Sequence, residues 1–114
     1  MIIKDILIKN EQGKEFEMEL YINVSSMKNI ERELKQISPK LNFYKAIPLI
    51  QQGELTIAII FVGSCLHKRG EQRAVGSDWF DDNHVDFLKY ANEMIVKLTE
   101  CLADLNPSVK SVGK

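Results

Sequence analysis

One stretch, LTIAIIFVGSCLHKRG from Leu55 to Gly70, constrains this chain more than any other. It is the most apolar part of the sequence, and whatever it forms must be buried. From Leu55 to Leu66 it falls well short of the roughly 20 residues that a membrane-spanning helix needs. Thr56, Gly63 and Ser64 dilute it further, so no membrane segment is expected. Ile57, Ile59, Ile60 and Val62 favour a strand locally. Yet the stretch shows no period-two alternation and no turn signal between Glu54 and Arg69. A helix apolar nearly all round, enclosed by other helices, fits better. Ala58, Gly63 and Ser64 are then points of close approach. Lys68 and Arg69 suit the negative end of that helix, and Gly70 its C-cap.

The flanking sequence supplies the enclosure. IIKDILIK (2–9) and EFEMELYI (15–22) read as two strands, the second placing Phe16, Met18, Leu20 and Ile22 on one face. NEQGK between them supplies turn chemistry through Asn10 and Gly13, giving a β-hairpin. A lone hairpin is marginal in water, so its apolar face needs a cover. Met27, Ile30, Leu34 and Ile37 recur at helical spacing, with Ser25 or Ser26 as the expected cap and Ser38-Pro39 as the stop. In KLNFYKAIPLIQQ (40–52), Leu41, Tyr44, Ile47 and Ile50 form a helical face interrupted by Pro48. Either that helix is kinked, or a shorter one starts near Ile47. GEQRAVGSDWF (70–80) reads as a loop. A final helix, capped by Asp81 or Asp82, carries the stripe Val85, Leu88, Ala91, Ile95, Leu98, Leu102 and Leu105 and stops at Asn106-Pro107. The expected fold is therefore α+β and mostly helical: an N-terminal hairpin followed by a bundle of three to four helices. Residues 1–106 form one globular domain, with 107–114 as a flexible tail.

Composition narrows the function. A net charge of −1 and a pI near 6.1 give no nucleic-acid footprint. Lys28, Arg32 and Lys35 lie at helical spacing and Lys68, Arg69 and Arg73 cluster, but Glu31, Glu33 and Glu71 interrupt both groups. Cys65 and Cys101 sit among apolar residues and behave as small hydrophobes. With no disulfide framework and no signal-peptide pattern, a cytoplasmic location is expected. Cys65, His67, His84 and Cys101 lack zinc-ligand spacing; the expectation is a core cysteine and a solvent-facing His67. Asp78, Asp81, Asp82 and Asp86 read as helix-start caps rather than a calcium loop. No catalytic residue, metal or cofactor is assigned. Trp79 and Phe80 are adjacent in a polar loop, and adjacent side chains rarely both face a core. One is expected to staple the final helix and the other to stay exposed for a partner. Phe43 and Tyr44 pose the same choice.

The order of elements carries a resemblance. A strand of alternating residues runs into a helix in FEMELYINVSSMKNIERELKQ, with Ile30-Glu31-Arg32-Glu33-Leu34 in the place of a family pattern. A short helical stretch ends in LIQQGE. The central helix closes in Val62-Gly63-Ser64-Cys65-Leu66-His67-Lys68, and DWFDDNHVDFL leads into the last helix. Over about residues 15–105 this resembles the tail assembly chaperones of long-tailed phages of Gram-positive bacteria and related prophages. Pro48 and the long RGEQRAVGSDW loop depart from the pattern. The resemblance implies a non-catalytic protein that coats the tape measure protein, keeps it soluble and self-associates. It further implies an apolar groove, lined by Tyr44, Ile47, Leu49 and Trp79, with Phe80 as a further contact. The rival readings are a small cytosolic adaptor or dimerisation domain, a nucleic-acid-binding regulator, and an enzyme built on Cys65 or Cys101.

Overall fold

The computed structural model describes residues 2–105, so the expected tail at 107–114 and the Asn106-Pro107 stop lie outside the described residues. Strand β1 (Lys4–Lys9) and strand β2 (Glu15–Leu20) form the expected antiparallel hairpin, in the register Ile6↔Met18 and Ile8↔Phe16. Helix α1 (Val24–Ile37) and helix α2 (Phe43–Gln51) follow. Helix α3 (Leu55–Cys65) runs directly into strand β3 (Leu66–Lys68). A single turn of helix, α4 (Trp79–Asp82), precedes the closing helix α5 (Phe87–Leu105). The architecture is α+β and mostly helical, with the hairpin at the N-terminal end of the chain and the helices packed on one face of the sheet.

The hairpin turn is built by Asn10. Its side-chain oxygen accepts from the amides of Gln12 (3.0 Å) and Lys14 (2.9 Å), and Gly13 takes the left-handed conformation at φ +86°. The inner face carries Ile6, Ile8, Met18 and Leu20, all buried. On the outer edge of β1, the Tyr90 hydroxyl accepts from the Lys9 amide (2.8 Å) and donates to the Lys9 carbonyl (3.3 Å). Helix α1 starts earlier than its serines suggest. Asn23 is the N-cap, and Ser26 closes a reciprocal capping box with it from inside the first turn. Helix α2 is one element with Pro48 inside it, capped by the Asn42 side chain. Its buried face is Phe43, Ala46, Ile47 and Ile50, one step round from the expected Tyr44 face.

Helix α3 is the centre of the core. Residues Ile60 through His67 are all buried. Its close-approach point is Gly63, whose carbonyl accepts from the Gly76 amide at 2.8 Å. A Cβ on Gly63 would sit 2.6 Å from the backbone of Gly76 and Ser77, so only glycine allows this contact. The helix ends at Cys65 with Leu66 as its C-cap, well short of the Gly70 cap that the sequence suggests. Leu66, His67 and Lys68 are extended, paired with Leu20, Glu19 and Met18, and make the sheet three-stranded in the order β1-β2-β3. Arg69 bridges Asp5 and Glu17 across that sheet rather than facing a helix end. Among the described residues no single helix is long and apolar enough to cross a membrane.

Helix α5 begins at Phe87, because His84 takes a left-handed conformation (φ 58°) that breaks the expected continuous helix. Asp86, not Asp81 or Asp82, receives the first-turn amide, from Leu88 at 3.1 Å. The buried stripe is Phe87, Ala91, Met94, Leu98, Cys101 and Leu102. Leu88 and Leu105, both expected in that stripe, are exposed.

Candidate functional site

The residues proposed from sequence for a partner groove do not come together. Trp79 and Phe80 are both buried, correcting the expectation that one of them faces solvent. Successive residues on a helical turn point about 100° apart, and α4 is wedged so that both directions are occupied. Trp79 meets Phe16 of β2 edge-on at 5.1 Å, and Phe80 meets Phe87 of α5 edge-on at 5.0 Å. Ile47 is buried against the core and Leu49 is partly buried against it. Only Tyr44 is open, at 53% exposure, beside the buried Phe43 that stacks on Phe61.

A larger concave feature among the described residues lies elsewhere. A cleft of about 680 Å³ opens between the C-terminal end of α1, the N-terminal end of α3 and the α4–α5 junction. Its floor is apolar: Ile59 and Ile60 from α3, Phe80 from α4, then Val85 and Phe87. Its lips are also apolar, and they are wet. Ile37 is 49% exposed, Leu55 45% and Leu88 65%. These three come from three different helices, and each is a large side chain that folding leaves in water. Carboxylates surround them: Glu11, Glu33, Asp78, Asp81 and Asp86. Glu33 is held by two hydroxyls, accepting from Ser77 Oγ (2.9 Å) and Ser64 Oγ (3.4 Å). Asp86 is fixed by its capping bond to Leu88. The hairpin turn brings Glu11 to the rim, because its amide donates to the His84 carbonyl at 3.0 Å and Asn10 donates to that of Asn83. Asp78, Asp81 and Asp86 were legible only as helix caps; the fold turns them into a rim.

The chemistry-bearing side chains are placed as packing. Cys65 is fully buried and burial pushes its thiol far up, while burial lifts Cys101 to about 11. Neither is poised as a thiolate nucleophile. His67 is fully buried, correcting the expectation of a solvent-facing ring. It stacks face to face on Tyr21, with ring centroids 3.8 Å apart and planes at 7°. Neither ring nitrogen has a hydrogen-bond partner, and burial lowers the imidazole below its ordinary range. Backbone groups at Cys65 and Glu19 pull the other way, without hydrogen-bond geometry. No group of three or more metal-ligating side chains converges among the described residues. The basic residues considered for nucleic acid are partly engaged: Lys35 donates to the carbonyls of Pro39 and Leu41, and Arg69 pairs with Glu17 at 3.2 Å.

No protein-family model matches this chain, and neither a curated protein nor a solved structure matches it.

Proposed function

We propose that this protein is a non-catalytic binding protein of the bacterial cytoplasm, a phage tail assembly chaperone that shields helical segments of a tape measure protein. The observation that carries the reading is the convergence of Ile37, Leu55 and Leu88 on one cleft. These side chains are about half exposed, so burial by a partner adds roughly 1–2 kcal/mol each, the part of full burial that folding leaves unused. No strand edge lines the cleft, which is walled by helices, helix ends and the hairpin turn. It therefore offers no ladder for an extended peptide, and contacts must come from side chains. A partner whose own backbone is satisfied, a helix, fits that requirement. Self-association belongs to the same reading, because a coat must tile a partner much longer than itself.

The test is capture of the tagged protein from the cells that encode it after prophage induction, with partners identified by mass spectrometry. The expected principal partner is a very long, helix-rich virion protein. It should be lost from the variant Ile37→Ser, Leu55→Ser, Leu88→Ser, which keeps the fold because all three sites are exposed. Recovery of host regulators or DNA alone would overturn the reading.

A further inference from the structure

The polar rim of the cleft is of one sign. Five carboxylates line it and no lysine or arginine does, although the whole chain carries 15 basic residues against 16 acidic ones. Among the described residues, no ion pair neutralises any of the five. Two of the five carboxylates, Glu33 and Asp86, are positioned by side-chain hydrogen bonds, and the hairpin turn fixes the backbone of Glu11 at the rim. Ionised carboxylates only accept hydrogen bonds, so an occupant must bring donors, and a cationic donor is favoured by the field of all five.

We propose that the cleft selects a cationic amphipathic helix: apolar anchors at i, i+3, i+4 and i+7 that seat on Ile37, Leu55 and Leu88, flanked by lysine or arginine that meet the rim. This rests on the reading of the cleft as a helix-binding groove and adds the chemistry of what enters it. An acidic or uncharged apolar helix leaves the carboxylates to be desolvated without compensation, and is disfavoured for that reason.

The experiment is fluorescence anisotropy with two labelled helical peptides of about 18 residues. They share the same leucine stripe; one carries lysine on its flanks and its twin carries glutamate. At about 50 mM salt the lysine peptide should bind at least about tenfold tighter than its twin, and the gap should shrink at about 500 mM salt. The variant Glu11→Gln, Asp78→Asn, Asp81→Asn should close most of the gap while leaving the melting temperature and circular dichroism unchanged. Equal binding of both peptides, lost in the Ile37, Leu55, Leu88 serine variant, overturns the charge selection and leaves the groove reading standing. Binding of neither peptide overturns the inference, and partner capture then judges the function separately. Displacement of the lysine peptide by the free polyamine spermidine at matched charge would assign the site to small cations and overturn it as well.

Discussion

The two ends of the Leu55–Lys68 segment are opposites. At its far end, Ile60 through His67 are sealed by the sheet, by the Gly63–Gly76 contact and by the Tyr21 ring. At its near end, Leu55 and Thr56 are exposed and open onto the acidic-rimmed cleft. The same run of apolar sequence thus serves two purposes. One end is used up in holding the fold together. The other keeps apolar surface in water, which folding alone does not reward. Substitutions at the sealed end should cost stability, and those at the open end should cost binding.

The largest effect is expected for Phe61→Ala. It removes a fully buried ring stacked on Phe43 and should destabilise by about 3–5 kcal/mol in a urea titration. A loss under about 1 kcal/mol would mean that this end is not the closed one. Gly63→Ala comes next, at about 1–3 kcal/mol, because the added methyl must push the Gly76–Ser77 backbone aside. The comparison Ala58→Gly should cost about 1–2 kcal/mol, from helix propensity and the loss of a buried methyl.

A pH effect should follow from His67. Its folded state favours the neutral ring, so the unfolded chain takes up the proton more readily. The stability this represents is fully present above the unfolded histidine value, about 6.5, and is lost as pH falls below it. Urea midpoints should therefore drop between pH 7.5 and 5.5. His67→Phe, which keeps a ring for Tyr21, should flatten that drop, and an unchanged slope would refute the assignment. The smallest effect on stability belongs to Leu88→Ser, within about 0.5 kcal/mol, since the side chain is mostly in water. Peptide binding should nonetheless weaken severalfold. A large stability loss there would show that the open end is structural after all.

The sequence made the sealed end legible and the open end nearly illegible. Alternation in β2 and the apolar density of α3 are local properties, and both elements formed where those properties pointed. The step from α3 to β3 was hidden because no glycine or proline separates Cys65 from Leu66, and because pairing with β2 decides it. The burial of His67 has the same origin: its register partner Glu19 places it beside Tyr21, a long-range fact that no local pattern carries. Trp79 and Phe80 misled for a related reason. Adjacent aromatics look like surface until two separate elements, β2 and α5, arrive on either side. The cleft needs α1, α3, the hairpin turn and the α4–α5 junction at once. Leu88 even read as a core residue, because the left-handed His84 that resets the start of α5 leaves no signature in residue spacing.

The Tyr90 clasp on Lys9 has a consequence for the open edge of the sheet. Backbone groups facing away from a strand's neighbour recur at every second residue, so the outward rungs of β1 are Asp5, Leu7 and Lys9. One phenol takes the amide and the carbonyl of the last. What remains is a template two rungs long, shorter than the six or seven residues that fibril-forming segments use. Copies of this chain brought side by side should therefore find little of β1 to extend into a shared sheet.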